Sequence, residues 1–187
     1  MRILIAGILG AIGMFIWLSI AHMATPLATM GVNHLNHEQP VMDAIRTDLG
    51  SQSGFYLYPW SEDMSADAMK AMQAKHDANG SGLIVYRAPG TSSVSMGKPL
   101  VLEFANELVQ SLIAAWLLAQ AAIAGYARRV LFVAAIGVAA GISTNFSYEI
   151  WYGFPANYTH ANIVMTVVGY IVAGLVIAGV LRKNAAA

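Results

Sequence analysis

Four long apolar runs alternate with polar connections along this chain. The first covers residues 3–23 and is nearly uncharged, with only Arg2 before it. Roughly 20 apolar residues at 1.5 Å per residue match the hydrocarbon core of a bilayer. The next runs cover about 99–125, 130–152 and 160–181. Pro26 stops the first run, and Trp151-Tyr152-Gly153-Phe154-Pro155 stops the third. Thr159 is positioned to cap the fourth. A signal peptide is the rival reading of the first run. Its apolar region would be unusually long, and Ala21-His22-Met23-Ala24 is a poor cleavage site, so a retained helix is expected.

Between the first two runs the pattern changes to that of a small soluble insert, residues 24–98. Val41, Ile45 and Leu49 recur at helical spacing in a helix predicted over 37–49, with Asn36 as its cap and Gly50 as its stop. A second helix is predicted over 65–78. Residues 55–58 and 83–86 are short strand candidates on either side of it. Strand, helix and strand suggest a small βαβ unit. Two strands are too few to stand alone, so the insert should lean on the membrane helices or on a partner. The predicted fold is an all-α membrane protein: a four-transmembrane-helix bundle (1–23 and 99–187) with a small α+β extracytoplasmic insert (24–98).

Composition narrows the function. Hydrophobic residues make up 57% and charged residues 11%, against about 25% charged in soluble domains. Ten bases balance ten acids, so no charge excess points to nucleic acid. Cysteine is absent, which removes disulfides, thiolate metal sites and covalent haem attachment. Neither G-x-S-x-G nor S-x-x-K surrounds Ser143-Thr144, and no P-loop is present, so a non-enzyme is expected.

Charge also predicts orientation. Arg2, Arg128, Arg129, Arg182 and Lys183 all fall on one side of a four-span arrangement. Basic residues near short loops mark the cytoplasmic side. Both termini are therefore expected in the cytoplasm. The insert is expected outside, in the periplasm of a Gram-negative bacterium.

The second run is not uniformly apolar. Glu103, Asn106, Glu107 and Gln110 share one face within about 100° of arc, and the face continues as Ala114, Leu117 and Ala121. With the expected orientation, His22, Glu103, Glu107, Glu149 and His160 all approach the outer ends of their helices. Carboxylates at i, i+4 with histidines from other helices suit a divalent metal. His22 and His160 suit a b-type haem. A proton or ion path is a third reading, although the inner halves are apolar apart from Gln120, Thr166 and Tyr170.

The structural reading is plainer. Glu103 and Glu107 favour a helix start by about 0.3–1 kcal/mol each. Lys98 or Arg87 could pair with them, and Glu149 could bond His160. The resulting polar cap would dock the insert or a partner, and this reading carries no cofactor.

Small residues and aromatics supply packing candidates. Gly7, Gly10 and Gly13 lie toward one side of the first helix, and Gly137-x-x-x-Gly141 marks the third. Trp151 and Tyr152 suit a membrane interface. His34-Leu35-Asn36-His37-Glu38 reads as turn and cap chemistry, and Met69 and Met72 as core of the insert.

Three stretches carry a resemblance. Trp17 and His22-Met23 leading into Pro26-Leu27, Gly54-Phe55-Tyr56 before Pro59, and Trp151–Pro155 before the last helix resemble a family of small uncharacterised bacterial inner-membrane proteins. The resemblance implies four transmembrane helices with an outer insert after the first. It implies no assigned activity and supplies no catalytic residues. The leading functional expectation is a non-enzymatic accessory or scaffold subunit. Its partners would be the lipid bilayer and other membrane subunits or a second copy. The alternatives are a small transporter or ion-binding protein using the outer polar cluster, and a metal- or haem-binding membrane protein.

Overall fold

The computed structural model describes residues 1–91 and 95–181. Arg182 and Lys183, used above for orientation, lie outside the described residues. In chain order the elements are α1 (Arg2–Ala24), α2 (Glu38–Leu49), β1 (Gly54–Tyr58), α3 (Ala66–Asn79), β2 (Gly82–Tyr86), α4 (Gly97–Gln120), α5 (Tyr126–Tyr152) and α6 (Ala156–Val180). They form two compact units: Met1–Asn33 with Ser95–Ala187, and His34–Val94.

The first unit is a bundle of α1, α4, α5 and α6, each long and apolar enough to cross a membrane. Leu4, Ile8, Ile12, Ile16 and Ile20 form an exposed stripe along α1, while Gly7, Gly10, Ala11 and Met14 are buried opposite it. A continuous exposed apolar face of this kind is suited to lipid and not to water. The fold is thus that of a mostly helical, multi-pass membrane protein.

Small residues set the order of the helices. A Cβ on Gly7 would lie 2.5 Å from Leu112 of α4, and one on Gly10 would lie 2.5 Å from Ser111 of α4 and 2.9 Å from Ile177 of α6. Gly13 faces Val172 of α6. Helix α1 therefore packs closely on two neighbours at once. Helix α6 does the same: Gly169 meets Met14 and Trp17 of α1, and Gly174 meets Val133 of α5. Gly137 of α5 accommodates Tyr170, and Gly141 lies against Ile163. The resulting order is α4, α1, α6, α5, with little contact between α4 and α5. The Trp17 indole Nε1 donates to the Met165 carbonyl at 2.9 Å, tying α1 to α6.

Several boundaries differ from the sequence expectation. Helix α4 ends at Gln120, five residues short of 125. The Ile123 carbonyl instead accepts from Arg129 Nε at 3.0 Å, and Gly125 has φ 86°, so residues 121–125 turn without helix. Helix α6 begins at Ala156 behind Pro155, whose missing N–H costs nothing at a helix start. Thr159 is therefore not its cap. It is buried one turn inside, and its Oγ1 has no hydrogen-bond partner. Residues up to Asn33 belong with the bundle, not the insert. Gly31 explains why: at φ 78° it turns against Asn157 and Tyr158 at the start of α6, where a Cβ would meet Asn157 Oδ1 at 2.7 Å.

In the second unit β1 and β2 pair antiparallel, Gly54 opposite Tyr86 and Tyr58 opposite Gly82. The expected βαβ unit would have required parallel strands. Helix α3 only returns the chain alongside β1 in the opposite direction. Neither α2 nor α3 packs closely on the sheet. Ala88 is the only buried residue among those described in this unit, so Met69 and Met72 do not form a buried core. Ser65 caps α3 by accepting from Ala68 N–H at 3.3 Å. Asp63 accepts from the Ser65 N–H and Oγ, both at 2.8 Å, and these bonds hold its carboxyl below the usual range. The N-cap position of α2 is His37, not Asn36, and it makes no side-chain cap bond.

Candidate functional site: a polar cavity beside Glu107

The polar face of α4 arises from spacing alone, since residues at i, i+3, i+4 and i+7 stack on one side of a helix. Packing decides what that face meets. Phe15 and Phe104 touch edge to face at 5.5 Å between ring centroids, and Gly7 lies against Leu112. These contacts set α1 antiparallel to α4 and bring His22 toward Glu103. Helix α6 adds Asn162, Thr166 and Tyr170 at i, i+4 and i+8.

Together the three helices line an open cavity of about 270 Å³. His22, Glu103, Asn106, Glu107, Gln110, Asn162, Thr166 and Tyr170 supply its polar lining. Met14, Leu18, Met165 and Gly169 supply its apolar lining. From Glu103 to Gln110 it spans about two helical turns, ~10 Å. At the deep end the Tyr170 hydroxyl donates to Gln110 Oε1 at 2.9 Å. This bond leaves the Gln110 amide N–H groups for other acceptors. Near Glu103, His22 Nδ1 donates to the Leu18 carbonyl at 2.8 Å.

Glu107 is the unusual member of the set. The residue is 1% exposed, and neither carboxylate oxygen has a hydrogen-bond partner among the described residues. One turn further, Ser111 is fully buried against Gly10, and its Oγ is also unpartnered. Leaving a buried polar group unmet costs about 1–3 kcal/mol, and more when it is charged. Ionisable groups within transmembrane segments normally find a partner or a polar cavity. Here Glu107 borders the cavity with its oxygens shielded, and it has no partner among the described residues. Lys98 forms no ion pair with Glu103 or Glu107 among the described residues.

The five sequence candidates therefore separate. His22, Glu103 and Glu107 line one cavity, while Glu149 and His160 do not. The His160 ring packs edge-on against Phe146 at 6.3 Å, and Glu149 Oε2 is shielded without a partner. Glu149 and His160 do not bond each other among the described residues. Among the described residues no three His, Asp or Glu side chains are grouped to hold a metal ion.

Gly153 (φ 69°) ends α5 by donating its N–H to the Glu149 carbonyl at 3.1 Å. Next to this turn Tyr148, Phe154 and Tyr158 stack in series. Trp151 is 80% exposed, and Tyr152 contacts Tyr148 at 6.0 Å.

Asn162, Thr166 and Tyr170 were not singled out as a set from sequence. Their i, i+4, i+8 spacing on an otherwise apolar helix was the signal that could have found them. Searches of protein-family models, curated proteins and solved structures return no match to this chain. The class that fold and site define is a multi-pass helical membrane protein with a polar cavity among three of its spans.

Proposed function

We propose that this chain is a small transporter or ion-binding protein of a bacterial inner membrane, taking a small organic cation into the Glu107 cavity. One observation carries the reading: a buried carboxylate with both oxygens unpartnered lines a polar cavity. A protonated carboxyl would still need an acceptor for its O–H, and no described residue stands within hydrogen-bond distance. An ammonium group supplies both charge and donors. The amide and hydroxyl oxygens of Asn106, Asn162 and Thr166 stand in the same lining to accept its remaining N–H groups. In this reading both termini are cytoplasmic, residues 24–98 are periplasmic and the His22 end of the bundle faces outward. Arg2, Arg128 and Arg129 at the other end support that orientation.

The test is thermal unfolding of the purified protein with ammonium, methylammonium or ethylammonium chloride, each against sodium chloride at equal ionic strength. A saturable rise in midpoint with at least one ammonium ion is expected. A ligand at 100 times its Kd stabilises by about 2.7 kcal/mol, which is well within detection. A midpoint that follows only ionic strength for every cation overturns the proposal.

A second reading, an accessory or scaffold subunit, is favoured by a different observation. The unit His34–Val94 has almost no core, yet Phe55, Trp60, Met64 and Val85 are more than half exposed. A groove of about 460 Å³ lies between α2 and β2. Such surface is suited to another membrane subunit or a second copy. A photocrosslinker at Val85 in native membranes should trap a species heavier than the monomer. Recovery of monomer alone removes this reading.

A further inference from the structure

The opposite end of the bundle holds a second cavity, of about 530 Å³. Three spans border it, Arg2 from α1, Leu118 to Gln120 from α4 and Arg129 from α5, together with Leu181 just beyond α6. Residues 121–124, where the chain leaves α4, complete it.

The charge here is one-sided. The acids of Met1–Asn33 and of residues 95–181 are Glu103, Glu107 and Glu149, and all three stand in the other half of the bundle. Among the described residues, Arg2, Arg128 and Arg129 therefore share this end with no carboxylate side chain. Neither Arg2 nor Arg129 forms an ion pair among the described residues. Arg129 is held in place by donating from Nε to the Ile123 carbonyl at 3.0 Å and from Nη1 to the Leu181 carbonyl at 2.8 Å. Neutral carbonyls orient the guanidinium without cancelling its charge. Among the described residues its Nη2 makes no hydrogen bond, and guanidinium N–H groups match the oxygens of a phosphate.

The walls are apolar where the arginines are not. Leu118, Ala122, Ile123 and Leu181 line the same space. Helices α4 and α5 make only slight contact with each other. A basic patch joined to an apolar cleft at a helix-bundle end has the two halves of a phospholipid binding site. We propose that this cavity seats the phosphate of an anionic phospholipid between Arg2 and Arg129, with the first acyl carbons against Ile123 and Leu181. The site is separate from the Glu107 cavity and does not depend on the function proposed for it.

Arg128 provides the control. It is exposed, sits one residue from Arg129, carries the same charge and does not line the cavity. The full-length protein is reconstituted in vesicles of phosphatidylcholine alone, or with one-fifth phosphatidylglycerol of matched chains. Lipid retained through detergent extraction is then counted by native mass spectrometry.

Wild type and Arg128→Gln should both retain phosphatidylglycerol over phosphatidylcholine. Arg2→Gln should lower that retention about fivefold, the effect of one basic group near an anionic headgroup. Arg129→Lys keeps the charge but loses the fork, and should lower it too, provided the circular dichroism is unchanged. Equal losses for Arg2→Gln and Arg128→Gln mean diffuse surface attraction and overturn the proposal. So does equal retention of both lipids by the wild type. Displacement of the lipid by millimolar inorganic phosphate would assign the cavity to a soluble phosphate and overturn the lipid as its source.

Discussion

Glu107→Met is expected to make the unliganded protein more stable and to abolish its response to cations. The two effects have one origin. Glu107 is 1% exposed with both oxygens unpartnered, so its carboxylate is a cost to the folded state. Methionine is of similar length and carries no group to satisfy. Removing the penalty should raise stability by about 1–3 kcal/mol, seen as a higher thermal midpoint in detergent. The charge that would attract an ammonium is lost at the same time, so ligand-dependent stabilisation should fall by at least tenfold.

Natural sites trade stability for function in this way. Glu103→Gln should behave differently. Glu103 is exposed where the cavity opens near His22, so its loss should weaken binding modestly and leave stability within about 0.5 kcal/mol, as surface changes do. A Glu107→Met protein that unfolds earlier than wild type would mean the carboxylate has a stabilising partner. The cation reading would then fail.

Gly137→Val should be the most damaging single change in the bundle. Gly137 is packed directly against the Tyr170 side chain, closer than any added Cβ allows. Tyr170 is 5% exposed and belongs to the core with Met14, Val133, Ala173 and Ile177, so it has little room to retreat. Overpacking of this kind costs about 1–3 kcal/mol, and it falls at the α5–α6 seam. The damage should spread to the site, because Tyr170 holds Gln110 through the 2.9 Å bond at the deep end of the cavity. Gly179→Ala is the matched control. A Cβ there meets nothing within 4 Å, and helix propensity favours alanine by up to about 1 kcal/mol. Thermal midpoints of the two variants should move in opposite directions. A Gly137→Val protein as stable as wild type would mean that α5 and α6 do not pack through this pair.

Much of the bundle was legible from local signals. Pro26 and Gly153 stop helices by backbone chemistry that needs no neighbours, and the apolar runs declare their length directly. The stripe from Glu103 to Gln110 is a matter of periodicity. The end of α4 was not legible, because it depends on Arg129 taking the Ile123 carbonyl. Thr159 looked like a cap because threonine often is one, but Pro155 already starts that helix. The strands at 54–58 and 82–86 showed in β-prone residues, while their antiparallel pairing depended on the path of α3.

The sequence alone determined that four helices are long and apolar enough to cross a membrane. It also determined that acids gather toward one end of them and arginines toward the other. It could not determine which helices touch. In a bilayer the lipid-facing side is as apolar as the packed side, so hydropathy does not separate them. Tertiary structure placed α1 and α6 at the centre, where Gly10, Gly13, Gly169 and Gly174 allow close approach on two sides. That order decided the rest. It joined His22, Glu103 and Glu107 to Asn162, Thr166 and Tyr170, and left Glu149 and His160 on another seam. Close packing through small residues, acting between segments far apart in the chain, turned a polar stripe on one helix into a cavity with a buried carboxylate in its wall.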